Sequence, residues 1–346
     1  MKKIIFDALK TGTINSGLGK FCDSLGNSIY KENKKYEIKY IVKEKYQAKN
    51  YYSQQKLSFS QKFIGFKDAD LLHCTHQESR FFSYSKNTKV LLTIHDLNFL
   101  EKNYSDVKKK KKLALVQKKI KRAHAISYIS NYTKELVNMH LNTQNKIEYV
   151  VYNGNPLDIE TKIVKPLFIE AKQLFFFSIG LIQEKKNFHV LIPLLKFFPN
   201  HKLIIAGKNS GSYAKKIEEL AKELEVQDQL ILPGEINESN KIWLYKNCDS
   251  FLFPSLAEGF GLPIIEALSL GVNVVCSNKT SLPEIGKDFV TYITNFEPEE
   301  MKVLIQNSIL KNTEEERTLK INYAKNYSWQ TSAQKYLDIY DEILNS

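Results

Sequence analysis

The sequence predicts an α/β protein made of two doubly wound domains in tandem, each a parallel sheet flanked by helices. Three observations carry this. Short apolar, β-branched segments alternate with longer segments of helical period along most of the chain. The alternation runs in two series, separated by a turn-rich stretch. A chain of 346 residues, 43% hydrophobic and 25% charged, also suits globular domains of the usual ~150 residues each and excludes disorder, collagen and coiled coil.

In the first series the spacing predicts strands over residues 3–6, 36–42, 70–74, 89–95, 124–129 and 147–152, with helices starting near Gly19, Ser105 and Asn131. The second series predicts strands over 174–179, 202–206, 229–232, 250–253 and 272–276, with helices over 188–197, 212–225, 238–247 and 262–270. Between them, Asn153-Gly154-Asn155-Pro156 joins a turn dipeptide to a proline that cannot continue a central strand, so a linker is expected from there to about residue 172. Beyond Glu297 the pattern is wholly helical. It ends in a segment whose Ala333, Tyr336, Leu337, Tyr340 and Leu344 recur at helical spacing.

The longest apolar run, residues 174–182, is nine residues, against the ~18 to 20 needed to span a bilayer. The apolar stretch after Lys2 and Lys3 meets Asp7 too early to be a signal-peptide core, so a cytoplasmic location is expected. Cys22, Cys74, Cys248 and Cys276 lack C-x-x-C spacing and neighbouring histidines, which argues for reduced thiols without a zinc site or disulfide framework. The net charge of +12 is uneven: residues 1–150 hold 29 basic and 13 acidic residues, and residues 151–346 hold 21 and 25. A basic half concentrates anionic partners without bearing on the fold. Five consecutive lysines, 108–112, open a segment reaching Arg122 in which Leu113, Leu115, Val116 and Ile120 interleave. This reads as a basic amphipathic helix over 105–122, suited to peripheral contact with anionic lipid.

Ligands of doubly wound sheets bind beyond the carboxyl ends of the strands. After the strand ending at Phe253 comes Pro254-Ser-Leu-Ala-Glu258-Gly259-Phe260-Gly261-Leu262-Pro263-Ile-Ile-Glu266-Ala-Leu. Gly259 and Gly261 allow close backbone approach, and Pro263 suits a first helical turn, so backbone N–H groups and a positive helix end would face an anion such as a pyrophosphate. Glu258 and Glu266 could then accept hydrogen bonds from hydroxyls at opposite ends of an extended ligand.

Glu258 and Glu266, with seven residues between them in EGFGLPIIEAL, resemble the motif of retaining GT-B glycosyltransferases of family 4. Ser178-Ile-Gly180-Leu-Ile-Gln-Glu-Lys-Lys186-Asn187, Ala206-Gly207-Lys208, Leu232-Pro-Gly234, Ser281-Leu-Pro-Glu284 and Tyr327-Ser-Trp329 resemble family segments in order. So do Thr93-Ile-His95-Asp96-Leu97, Ile129-Ser130-Asn131 and Val151-Tyr-Asn153-Gly154 in the first half. The resemblance implies two Rossmann-like domains facing a central cleft. Residues 1–160, rejoined by a final helix over 329–346, would take the acceptor, and residues 168–328 the nucleotide sugar.

By that resemblance Glu266 holds the donor ribose. Glu258 and the backbone of Gly259, Phe260, Gly261 and Leu262 hold the transferred sugar, and Lys186 neutralises the pyrophosphate beside Gly180. Leu181 stands where the family often has arginine, and Lys185 is the candidate to compensate. His95 would position the sugar and stabilise charge, while Gly17 and Gly19, after Ser16, would form the loop where acceptor and phosphate meet. No metal or other cofactor is expected. The implied reaction is retaining transfer of a hexose, with mannose from GDP-mannose as the first candidate, to a glycan acceptor expected to be lipid-linked, in surface polysaccharide or lipopolysaccharide assembly. A UDP-hexose donor is the alternative, and a nucleotide-sugar epimerase or phosphorylase would share the fold. Against a nucleic-acid partner, no RNP-like, zinc-finger or helix-turn-helix signature is present.

Overall fold

The computed structural model describes residues 1–10, 17–42, 68–79, 82–83, 85–102, 104–143, 145–158, 160–209 and 211–346. It divides into two compact units. The first combines Met1–Pro156 with Tyr327–Ser346, and the second is Leu157–Asn326.

Among the described residues unit 1 holds six parallel strands: β1 (Lys3–Asp7), β2 (Glu37–Ile41), β3 (Leu71–Cys74), β4 (Lys89–Ile94), β5 (Ala125–Tyr128) and β6 (Ile147–Val150), in the order β2-β1-β3-β4-β5-β6. β3, β4 and β5 are buried almost throughout, which is why they read as continuous apolar runs rather than alternating ones. Helices α1 (Gly17–Glu32), α2 (Asp106–Arg122) and α3 (Asn131–His140) flank the sheet. α2 and α3 start on serine caps, Ser105 and Ser130, whose hydroxyls accept from Lys108 N and Thr133 N.

The basic helix departs from its expected face. Only Val116 and Ile120 of α2 are buried, Leu115 is 64% exposed, and Lys119 turns inward to donate to the carbonyls of Gln77 (2.7 Å) and Ser79 (2.5 Å). The apolar stripe facing the core is thus narrower than the sequence pattern suggests. Lys108, Lys110, Lys111, Lys118 and Lys121 are exposed.

The C-terminal helix (Trp329–Asn345) belongs to unit 1 and packs on α1. Trp329, Ala333, Tyr336, Leu337, Ile339, Tyr340 and Ile343 are buried, while Leu344 is half-buried. Polar groups fix its register: His73 on β3 bonds Tyr340 through Nδ1 (2.7 Å) and Thr93 through Nε2 (2.8 Å), and Thr93 meets Ser127 (2.7 Å). Such a buried network is tolerable because its members find partners in one another. The helix starts against the Asn153-Gly154-Asn155 turn. Asn155 N donates to Tyr327 O (2.9 Å) and Ser332 Oγ to Tyr152 O (2.6 Å).

Unit 2 repeats the plan with β7 (Leu174–Ile179), β8 (His201–Ala206), β9 (Leu230–Gly234), β10 (Ser250–Phe253), β11 (Val274–Ser277) and β12 (Thr291–Ile293), ordered β12-β11-β10-β7-β8-β9 and all parallel. Its helices are α4 (Ser212–Glu223), α5 (Glu238–Asn247), α6 (Leu262–Leu268), α7 (Leu282–Gly286), α8 (Pro298–Leu310) and α9 (Glu314–Ala324). The helix expected over 188–197 is instead a series of 3₁₀ turns, Phe188–Leu191 and Pro193–Phe197, preceded by Glu184–Lys186. Asn187 takes a left-handed conformation at φ 57° and Pro193 lacks a backbone donor, so neither supports a continuous α-helix. β12 and α7 are too short to give a periodic signal. Among the described residues no helix is long and apolar enough to cross a membrane, and the four cysteines form no disulfide.

A Cβ on Gly154 would lie 2.2 Å from Trp329 N, a backbone clash that only movement of the C-terminal helix could relieve. Gly154→Ala should therefore destabilise the protein by about 1–3 kcal/mol, the range of buried overpacking. A urea midpoint matching that of the wild type would show that the helix start is not held there.

Candidate active site

In chain order the strands of unit 2 lie 6-5-4-1-2-3, the doubly wound arrangement whose switch point falls between its first and fourth members, β7 and β10. The segments singled out in the sequence follow these two strands. Gly180 ends β7, and the loop Pro254 to Gly261 leaves β10.

Lys186 sits in the 3₁₀ turn after Gly180 and is 8% exposed. A buried ammonium needs a counter-charge, and Glu258 supplies it: Lys186 Nζ lies 2.5 Å from Glu258 Oε1. Ser255 Oγ donates to the same oxygen at 2.6 Å, and the Phe253 ring centroid lies 4.8 Å from the ammonium. Gly180 makes room for the stem. At φ 153° it adopts a conformation side chains disfavour, and a Cβ there would sit 3.0 Å from Lys186 Cε. Burial pushes the Glu258 carboxyl up, but Lys186, Lys185 and the hydrogen bonds from Lys186 and Ser255 outweigh it and hold the group below the usual carboxylate range.

Hydroxyls fix the surrounding loop. Glu258 N donates to Thr280 Oγ1 (3.0 Å), and Ser281 Oγ reaches the carbonyls of Glu258 (3.1 Å) and Phe260 (2.9 Å). Ser277 Oγ donates to Ser255 O. Leu256 N donates to Lys185 O (2.8 Å), tying the two loops together. Gly259 and Leu262 are half-buried, Phe260 is buried, and Gly261 precedes α6 against Leu282. Lys185 is half-buried and Leu181 is exposed.

Glu266, inside α6, is held separately. It is 4% exposed, its Oε1 accepts from Lys241 Nζ (3.1 Å) and its Oε2 from Tyr245 OH (3.0 Å). The structure therefore gives the two glutamates different cationic partners, Lys186 for one and Lys241 for the other. Lys241, Tyr245, Ser255, Thr280 and Ser281 were not foreseen from sequence. The recurrence of serine and threonine just after β10 and β11 was the available signal for the last three.

In unit 1, the carboxyl ends of β1, β3 and β4 gather Asp7, His76 and His95. His95 Nε2 donates to Thr75 O (2.8 Å), its main-chain N–H donates to Gln77 Oε1 (3.1 Å), and Phe21 of α1 packs edge-on at 4.5 Å. Burial pushes the imidazole down to about 4, against a smaller upward pull from the Thr75 carbonyl. His95 is therefore neutral near pH 7, with Nδ1 as an acceptor. A neutral ring of this kind can accept a hydrogen bond from a hydroxyl. Gly17 is exposed at the start of α1 and Gly19 is buried; Ser16 lies outside the described residues. Among the described residues no group of three or more His, Cys, Asp or Glu side chains could hold a metal.

Residues 159–327 match the family model described as Glycosyl transferases group 1. The chain carries a group 1 glycosyltransferase domain. The match covers nearly all of unit 2, including the Lys186–Glu258 pair and Glu266. The chain is 36% identical over 117 residues to the serotype-specific mannosyltransferase WbdA of Escherichia coli, covering 32% of this chain and 14% of that protein. It is 23% identical over 218 residues to the O-antigen chain mannosyltransferase RfbU of Salmonella typhimurium, covering 62% and 60%. The chain thus spans less than two thirds of the length of either relative. Among solved structures, HepE from Anabaena in complex with UDP and glucose superposes with a TM-score of 0.78 at 16% identity, covering 99% of this chain and 100% of that one. Sucrose-phosphate synthase from Thermosynechococcus elongatus gives 0.78 at 13%, covering both chains entirely. With two parallel six-stranded sheets, the group 1 domain and its companion unit have the GT-B fold.

Buried histidines of unit 1 make it less stable as pH falls. Burial lowers His95 to about 4 and His73 to about 3, both from 6.5, so the unfolded chain binds their protons first as pH falls. Their contribution is complete above about 6.5 and is lost progressively down to about 3 to 4. Asp7, whose carboxyl burial pushes up, works in the opposite sense. The urea midpoint should therefore drop between pH 6.5 and 4.5, and His95→Gln should drop less steeply. Equal slopes would place the titration elsewhere.

Proposed function

We propose that the protein is a glycosyltransferase that moves a hexose from a nucleotide sugar to a glycan with retention of configuration. The Lys186–Glu258 pair beneath Gly180, at the switch point of a group 1 domain, carries this reading. A leaving nucleoside diphosphate gains negative charge as the glycosidic bond breaks, and a pre-placed ammonium stabilises that charge in the transition state. When the diphosphate takes over Lys186, the Glu258 carboxylate turns from its counter-ion to the sugar hydroxyls. Glu266 accepts from the ribose. His95, neutral, accepts a hydroxyl, and the departing phosphate assists deprotonation of the acceptor.

Mannose from GDP-mannose is the first candidate, supported by the mannosyltransferase names of WbdA and RfbU and by the Gly180 to Asn187 and Ser281 to Glu284 segments. UDP-hexose is the second, supported by the UDP and glucose bound to HepE. The acceptor is a glycan, lipid-linked, of surface polysaccharide assembly. The exposed lysines of α2 then bring the enzyme to the anionic inner face of the membrane, each worth about 1 kcal/mol near the surface.

Thermal-shift measurements with GDP, UDP, ADP, dTDP and their sugar conjugates check the donor, because a native-state ligand at about 100 times its Kd adds roughly 2.7 kcal/mol of stability. Stabilisation by GDP and GDP-mannose is the expected result, and a UDP-specific shift would replace the donor. Absence of any shift would count against the reading. Glu258→Gln, similar in size, should lower kcat by about 10²-fold or more once turnover is in hand, and unchanged turnover would remove Glu258 from the site.

A further inference from the structure

We propose that Lys241 and Tyr245 are positioning residues that set the Glu266 carboxylate to receive the ribose hydroxyls of a nucleoside diphosphate. The inference rests on the reading of unit 2 as the donor domain and adds two residues to it. Both lie on α5, four residues apart and so on one face of the helix, and both reach Glu266 of α6.

The arrangement is specific in three respects. Each oxygen of Glu266 takes one of the two donors, the ammonium at 3.1 Å on Oε1 and the phenol at 3.0 Å on Oε2, so the carboxylate plane cannot rotate without breaking one of them. Tyr245 is itself immobile: its ring packs edge-on against Phe177 (5.0 Å, 82°) and Phe251 (5.0 Å, 61°) and is fully buried. Lys241 is 4% exposed and also lies 2.9 Å from Glu238 Oε1, close enough for an ion pair but not aligned as a hydrogen bond. The ammonium thus stands between two carboxylates.

A stability role alone explains this poorly, since hydrophobic replacements of a buried ion pair are often neutral or stabilising. A carboxylate held in a fixed plane is what recognition of a diol requires, because adjacent hydroxyls present two donors at a fixed separation. The residues that fix that plane then govern ribose discrimination more than overall affinity.

Calorimetric binding of GDP and UDP to the full chain, against their 2′-deoxy and 3′-deoxy forms, tests this. The wild type is expected to prefer one ribonucleotide over a deoxy form by about 10-fold or more, the worth of a hydrogen bond to a charged group. Lys241→Met and Tyr245→Phe are each expected to cut that preference to about 3-fold or less while the deoxy forms bind nearly as before, and Lys241→Arg to restore part of it. Tyr245→Phe keeps the ring, so it carries the test should Lys241→Met fail to fold. Undiminished discrimination in a folded Tyr245→Phe would overturn the positioning role and leave the donor domain standing. Wild-type protein that binds neither nucleotide would overturn both.

Discussion

A lysine ammonium buried beside the switch point of a parallel sheet is the constraint around which unit 2 is organised. Lys186 cannot lie there without an anion, and the protein provides Glu258. To bring that glutamate within reach, the loop after β10 is pinned by Ser255, Thr280 and Ser281, and the loop after β7 is joined to it through the Lys185 carbonyl. Gly180 leaves the space through which the lysine stem passes. The result is a cation held in place by the protein itself, the preorganisation that the proposed transfer would use against developing phosphate charge.

The second glutamate illustrates how one short helix carries two tasks. α6 buries Ile264, Ile265, Ala267 and Leu268 in the core and turns Glu266 toward α5. The first task holds the helix against the sheet, and the second sets a carboxylate between Lys241 and Tyr245. Unit 1 solves a comparable problem with neutral groups. His73, Thr93, Ser127 and Tyr340 satisfy one another between sheet and C-terminal helix, and His95 is kept uncharged by burial at the strand ends.

Much of this was legible in the chain. Strands such as Leu174–Ile179 and Ser250–Phe253 are covered on both faces, so they appear as unbroken apolar runs between turn residues. The Gly/Pro setting of Glu258 and Glu266 marked a strand-to-helix loop, and the structure places one there. What could not be read is tertiary pairing. Lys186 and Glu258 are 72 residues apart, and nothing local distinguishes Lys186 from a surface lysine at a helix start. Lys241 has the same anonymity on α5. The tautomer of His95 depends on the Thr75 carbonyl, 20 residues away, and so no local pattern reports it. The run of 3₁₀ turns after Gly180 escaped because its buried Phe188, Leu191 and Leu195 mimic helical spacing.

The central claim is that Lys186 exists to meet a diphosphate and that Glu258 is its counter-ion until then. Calorimetric titration of GDP and UDP into wild-type protein, Lys186→Met and Glu258→Gln tests it most directly. Lys186→Met should weaken binding by about 10-fold or more, whereas Glu258→Gln, which removes the competing anion, should bind the bare nucleotide at least as tightly as the wild type. Unchanged affinity in Lys186→Met, or loss of binding in a folded Glu258→Gln, would contradict it.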